Sequence, residues 1–330
     1  MSLLAPVLEG YFTERLAQRR ASSNTVAAYR DTYCLLLAYA QRRVGKVASS
    51  LELSDVDAAL VGGFLDHLEV ERHNGVATRN ARLAAIHSLY RYAALRCPEH
   101  AGTIQRVLAI PPKRTTTTDV SFLAAVEVAA LLECPDRTTR AGRRDHALLL
   151  VAVQTGLRVS ELTGLTCVDV ELGTGANVHC VGKGRKERRT PLTRDTARVL
   201  GAWLRERERG GEPTDPLFPS RSGGRLSRDA VADLLAKHLA AARTRCPSLS
   251  SKRVSPHTLR HTAAMRLLWA GVDTSTIALW LGHAGTKATE VYLHADLSLK
   301  ERALARTSPL PAGRGRYRPS DELLAFLQAL

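Results

Sequence analysis

Four short segments hold residues whose types and spacing could do chemistry on a phosphate. In Thr155-Gly156-Leu157-Arg158-Val159-Ser160-Glu161-Leu162, one helix ends at Gly156 and the next begins at Arg158, with Glu161 one turn on and on the same face. A guanidinium placed there can bind a phosphate through two hydrogen bonds while the carboxylate orients it; an ordinary surface Arg–Glu pair has the same spacing. The second segment sets Lys183, Arg185, Lys186 and Arg188 around Gly182 and Gly184. A phosphate-binding P-loop would need glycine at Asn177 and serine or threonine at Gly184, so this is not a nucleotide cradle. A basic turn that carries lysine toward nucleic acid fits, and so does a solvated run of charge.

The third segment is Ser255-Pro256-His257-Thr258-Leu259-Arg260-His261-Thr262. Ser255 as N-cap and Pro256 at the first helical position start a helix that Gly271 closes. His257 and Arg260, three apart, then share a face near the positive helix N-terminus, a natural phosphate site. His257 and His261 are four apart, as in a zinc helix. Thr258 stands where such a motif carries glutamate, and no carboxylate follows at useful spacing, so no metal is expected. The fourth segment is Leu281-Gly282-His283, with Tyr292 nine residues beyond the histidine. A lone tyrosine in a chain that has eight is as readily a packing residue. Residues 273–281, after the preceding helix, also imitate a helix-turn-helix, which would bind DNA without cutting it.

The elements that must position these residues follow from hydrophobic spacing. Val26, Tyr29, Tyr33, Leu36, Leu37 and Ala40 recur every three to four residues and predict a helix over 24–43; two more are expected over 56–72 and 77–95. Residues 1–110 thus read as a helical domain with basic faces, on which Arg79, Asn80 and Arg82 are candidate DNA contacts. Ile110-Pro111-Pro112-Lys113-Arg114 and four threonines cannot continue a helix, so 111–120 reads as an extended linker whose Lys113 and Arg114 could lie along a phosphate backbone. From 121 the chain resumes with helices, an apolar one over 145–154 among them. Short strands are expected over 165–172, 177–181 and 188–192, and helix again to about 306. A tail, 307–330, ends in the apolar stretch 322–330. The expected fold class is mainly α with a small antiparallel sheet, in two domains, 1–110 and 121–306.

Composition narrows the partner. Forty-seven Lys and Arg against 32 Asp and Glu leave a net charge of +15, shared as +4 in residues 1–113 and +11 in 114–330. Such a surplus favours polyanions through counterion release. No apolar run is long enough to span a membrane, and the N-terminus lacks the cleavage site of a secretory signal. The six cysteines are scattered, with no paired zinc spacing, and read as reduced thiols of a cytosolic protein.

As an ordered set, Arg158, Lys183, His257-x-x-Arg260, His283 and Tyr292 resemble the tyrosine recombinases, or phage-integrase family, of the Xer and transposon-integrase type. The surrounding T-G-L-R-x-S-E-L, G-K-G-x-K-E-R-x-x-P-L, H-x-L-R-H-T and L-G-H strings are similar too, and 1–110 looks like that family's SAM-like core-binding domain. The resemblance implies that Tyr292 attacks a DNA phosphate to give a 3′-phosphotyrosyl bond, without cofactor, metal or ATP. Arg158 and Arg260 would clamp the phosphate and Glu161 would support Arg158. Lys183 would protonate the leaving oxygen, His257 would assist proton transfer from Tyr292, and His283 would hydrogen-bond the phosphate. It further implies paired sites on double-stranded DNA, a tetramer assembled there with the tail as a contact between protomers, accessory or partner recombinases, and a location at the nucleoid. Integration, excision or transposition would be the outcome. A DNA-relaxing enzyme of type IB topoisomerase kind and a non-catalytic DNA-binding protein are the alternatives, and Tyr317 is the substitute nucleophile.

Overall fold

Capping side chains set two of the helix starts in the first part of the chain. The structure is a computed structural model that describes residues 2–115, 120–182, 186–208, 212–283, 285, 289, 291 and 292. The chain divides into two compact units, residues 1–118 and 119–330. In the first, α1 (Leu4–Gly10) runs into a π-helical turn, Tyr11–Leu16. Helix α2 (Ser23–Val44) starts where the Ser22 hydroxyl accepts from the Thr25 amide, and it stops at Gly45, whose φ of 75° suits glycine. Asp57 caps α3 (Ala58–Val70) at the Leu60 amide, and α4 (Val76–Ala93) and α5 (Ala101–Leu108) complete the unit. Leu83, Ile86, Leu89, Tyr90 and Ala93 form the buried stripe of α4 and meet Leu36 of α2 and Phe64 and Leu68 of α3 in one core. The three long helices fall within two residues of expectation. Helices α1 and α5, of seven and eight residues, are too short for periodicity to reveal.

The second unit holds α6 (Ala125–Leu132), α7 (Arg140–Thr155) and α8 (Val159–Gly164), then β1 (Val170–Glu171), β2 (Asn177–Val181) and β3 (Glu187–Pro191). After these come α9 (Arg194–Glu208), α10 (Arg228–Arg245), α11 (Pro256–Trp269) and α12 (Thr274–Leu281). Helix α7 is buried on nearly every side, through Ala147, Leu148, Leu149, Val151, Ala152 and Val153, and packs against α9 and α11. The sheet is an antiparallel meander in the order β1-β2-β3, with Val178 opposite Val170 and Thr190, and Cys180 opposite Arg188. The strand expected over 165–172 shrinks to two residues. The Asp169 carboxylate accepts from both the Thr166 amide and the Thr166 hydroxyl, each at 2.7 Å, and this closes a 3-10 turn over Cys167–Asp169 instead.

One close approach organises the rest. Gly156 ends α7 at φ 65°, and a β-carbon there would lie 2.6 Å from Leu281 Cδ2 and 3.0 Å from Ala263 Cβ. Only glycine lets the end of α7 meet α11 and α12 at this distance. Beside that junction, Met265, Leu268, Ile277, Leu281 and Tyr292 form a small apolar cluster. The fold is mainly helical with a small antiparallel sheet, as expected. Among the described residues no helix is long and apolar enough to cross a membrane, and no group of three or more His, Cys, Asp or Glu could hold a metal. The tail over 307–330, Tyr317 within it, and the expected helix beyond 292 lie outside the described residues.

Candidate active site

Arg158 is the N-cap residue of α8, with an extended backbone (φ −64°, ψ 149°) that turns the chain after α7. Glu161, at the third position of α8, accepts from the Arg158 amide at 2.8 Å and from Arg158 Nη1 at 2.8 Å. Its two oxygens also take Arg188 Nη2 at 2.7 Å and Nη1 at 3.2 Å. One carboxylate, with a side chain only 4% exposed, therefore serves two guanidiniums. Burial opposes the charge on Glu161, but the hydrogen bonds from Arg188 and from the Arg158 backbone hold its carboxyl below the usual range.

Arg260 reaches the same place from α11. It is 2% exposed, and its guanidinium donates to the carbonyls of Gly156 and Leu281, both at 2.7 Å. These are carbonyls at the C-terminal ends of α7 and α12, the negative ends of two helices. Burial, and then the charge of Arg158, lowers the Arg260 pKa to about 10, so it remains a cation, and among the described residues it has no carboxylate of its own. Arg158 Nη2 donates to the Gly282 carbonyl at 3.1 Å, and this brings the turn before His283 to the first arginine.

The histidines sit in this positive field. His257 has a lowered pKa through burial and then through Arg260 and Arg158. His283, whose Nδ1 lies 2.8 Å from Thr289 Oγ1, is pushed to about 4 by burial, Arg260, Arg158 and Arg188. His261 is also pushed to about 4, by burial, His257, Arg260 and His283. All three are neutral near pH 7. Tyr292 is 2% exposed, and its hydroxyl lies 3.0 Å from His261 Nδ1. Burial raises its pKa, against the opposing pull of Arg260 and Arg158.

Sequence reasoning placed Arg188 on the DNA-facing turn with Lys186. The structure separates them. Lys186 is exposed, whereas Arg188 points inward, because β3 alternates and Arg188 shares its inner face with buried Thr190. Its guanidinium lies where β-carbons on Gly182 and Gly282 would come within 3.0 and 2.8 Å, so it sits beneath the residues preceding Lys183 and His283. Lys183 and Arg185 themselves lie outside the described residues; the flanking Gly182 amide donates to the Lys186 carbonyl at 2.7 Å.

The candidates of the first unit have partners within it. Arg79 is 6% exposed, with Nε 3.6 Å from the Glu69 carboxylate. Asn80 accepts from the Lys113 amide at 3.0 Å and donates to the Lys113 carbonyl at 2.8 Å, while Lys113 Nζ pairs with Glu69 at 2.6 Å. Arg82 donates to Thr32 Oγ1 at 2.9 Å and to the Ala28 carbonyl. Arg114 is exposed. The residue that sequence reasoning weighed only as a metal ligand is His261, and its spacing from His257 was the available signal.

Comparison with known proteins gives this geometry a family. Residues 121–298 match the phage integrase family, and residues 8–96 match the phage integrase N-terminal SAM-like domain. The chain is 54% identical to y4rC of Sinorhizobium fredii, provisionally named an integrase/recombinase, over 99% of this chain and 98% of that protein. It is 33% identical to the tyrosine recombinase XerC of Pelobacter propionicus, over 89% of this chain and 93% of that protein. In fold it is similar to the XerH site-specific recombinase bound to its palindromic difH substrate in a post-cleavage complex. That match has a TM-score of 0.67 and 21% identity, and it covers 87% of this chain and 81% of that one. With one family match over more than half its length and relatives along nearly all of it, the chain belongs to the phage integrase family.

Proposed function

We propose that this chain is a site-specific DNA recombinase that cuts and rejoins duplex DNA through Tyr292. The observation that carries the reading is electrostatic. Arg158 and Arg188 share the one buried carboxylate of Glu161, Arg260 donates to carbonyls, and the phenol of Tyr292 lies in the field of Arg260 and Arg158. A desolvated cationic site of this kind lacks an anion, and a phosphodiester supplies one. Arg158 and Arg260 would then stabilise the charge that develops on the non-bridging oxygens in the transition state.

In the reaction, Tyr292 Oη forms a bond to phosphorus as the P–O5′ bond breaks, and a 3′-phosphotyrosyl ester is left. The electron pair of the broken bond stays on O5′, which takes a proton from Lys183, because a free alkoxide leaves poorly near neutral pH. The phenol proton departs toward the histidines, with His257 assisting, while His283 donates to the phosphate. Attack by the 5′-hydroxyl of another strand reverses the step, and the ester linkage retains the energy for resealing. Because Tyr292 is buried, DNA entry has to uncover its oxygen.

The sequence resemblance extends the proposal: double-stranded DNA with paired sites is the substrate, four copies assemble on it, and integration, excision or transposition is the result. Lys113, Arg114, Arg185 and Lys186 are the proposed phosphate contacts, Arg79, Asn80 and Arg82 the proposed supports of that surface, and the tail the contact between copies. Accessory or partner recombinases and a place at the nucleoid belong to the same proposal.

Covalent trapping tests it. Nicked duplexes tiled across the DNA flanking the gene are incubated with the protein in the presence of a chelator and run on a denaturing gel. Wild type should give a protein–DNA band, and Tyr292→Phe should give none. An adduct from the phenylalanine variant would transfer the nucleophile to another residue, Tyr317 first. Relaxation of supercoiled plasmid without exchange between paired sites would favour a topoisomerase-like enzyme.

A further inference from the structure

His261 has no role in the reaction as derived so far, yet it touches the nucleophile. Its Nδ1 lies 3.0 Å from Tyr292 Oη, within the range for proton transfer between positioned groups. The two rings are 5.5 Å apart at 65°, and the His257 ring stands edge-on behind His261 at 4.4 Å. His257 and His261 are one helical turn apart on α11, so the order phenol, His261, His257 is built into one helix face. The groups facing His261 are His257 and Arg260 from its own helix, His283 from the turn after α12, and Tyr292.

We propose, building on the strand-transfer reading above, that His261 is the residue that accepts the proton of Tyr292 during cleavage, and that His257 acts behind it. A neutral imidazole with its proton on Nε2 presents the Nδ1 lone pair to the phenol, and the hydrogen bond then points along the path the proton takes. As Oη bonds to phosphorus, its proton passes to Nδ1 and the imidazole becomes imidazolium; the electron pair of the P–O5′ bond leaves with O5′, protonated by Lys183. Burial, and then His257, Arg260 and His283, disfavour this imidazolium in the free protein. A phosphate held between Arg158 and Arg260 offsets the Arg260 charge, so His261 becomes a competent base only when DNA is present. In the reverse step the imidazolium returns the proton to the departing phenolate.

The test varies the acidity of the nucleophile. The full chain is prepared with tyrosine or 3-fluorotyrosine at position 292, each combined with His261→Leu, His261→Asn or His257→Leu. Adduct formation is timed on the nicked duplex that wild type cleaves. With tyrosine, His261→Leu should slow cleavage by about 10²-fold, the low end for a positioned proton acceptor. With the more acidic fluorinated phenol, which needs less help to lose its proton, the defect should narrow several-fold. His261→Asn keeps a polar atom near the Nδ1 position without its basicity and should be slow in the same way, which covers a leucine variant that folds poorly. A defect of equal size with both phenols would mean that His261 only packs against Tyr292, and the proposal falls. It falls equally if His261→Leu cleaves at the wild-type rate, or if fluorination relieves His257→Leu and not His261→Leu. Absence of an adduct from wild type on every duplex would remove the strand-transfer reading itself, and this proposal with it.

Discussion

The cations gathered at the active site of the second unit and the candidate cations of the first are held in different ways. In the first unit, Arg79 faces Glu69, Arg82 donates to Thr32 and the Ala28 carbonyl, and Lys113 pairs with Glu69. In the second, Arg158 and Arg188 share the single carboxylate of Glu161, and among the described residues buried Arg260 donates to carbonyls alone. Both regions are basic by count. What distinguishes the second is Arg260, a desolvated guanidinium whose hydrogen bonds among the described residues go to carbonyls, and that deficit is what an incoming phosphate can fill. Charge by itself marks a region that can approach DNA. Charge held away from its counterions marks the place where, on the proposed reading, a phosphate would react.

The largest effect that would break this comparison is expected at Arg260. Arg260→Ala should lower the cleavage rate of a nicked duplex by about 10²–10³-fold, as for loss of one donor to a developing oxyanion. Rates are normalised to the folded fraction, and Arg260→Lys, which keeps the charge but not the fork that reaches two carbonyls, should also be severely slow. Near-normal cleavage by either variant would dissolve the distinction between the units.

A smaller effect is expected at Glu161. Glu161→Gln leaves two guanidiniums without their carboxylate and should destabilise the second unit by about 3 kcal/mol in urea unfolding, the low end for breaking a buried pair because Arg158 is partly exposed. Added inorganic phosphate should restore more stability to this variant than to wild type. The pH dependence has a definite sign. The Glu161 carboxyl is held below the usual range, so its contribution is present at neutral pH and is lost as the pH falls through that lowered value. The glutamine variant should lack that component of acid unfolding. An unchanged unfolding curve would show that the carboxylate is not the hub the geometry describes.

The smallest effect is expected in the first unit. Asn80→Ala removes two hydrogen bonds to the Lys113 backbone at a partly exposed position, and should cost about 1 kcal/mol of stability. Cleavage at saturating DNA should be unaltered. A large loss of cleavage would mean that this region takes part in the chemistry.

Much of the arrangement was legible in the residues. Ser255-Pro256 marked the start of α11 and Gly156 the end of α7, because capping and left-handed turns depend on local chemistry. Helices 24–43 and 77–95 were visible because a long apolar stripe repeats often enough to declare its period. The turn at Thr166–Asp169 was not read, since one carboxylate, accepting two hydrogen bonds from Thr166, decided it against strand-like residues. Arg188 was assigned outward from its place in a basic run; the alternation with Thr190 that turns it inward was in the sequence, but charge was weighed above parity. His261 was seen only as half of a possible metal pair. Its real neighbour, Tyr292, is 31 residues away, a proximity that only the folded chain creates.

The anchoring of Arg260 has a consequence for how descendants of such a protein would decay. Its guanidinium ties the last turns of α7 and α12 together through Gly156 and Leu281, so the same side chain that would meet a phosphate also holds the second unit in shape. A copy that had lost catalysis and survived only by occupying DNA would still be obliged to keep Arg260. The phenol oxygen of Tyr292 carries no such obligation, because phenylalanine fills nearly the same apolar space. Inactivation in this architecture should therefore be written first at the tyrosine and last at the arginine.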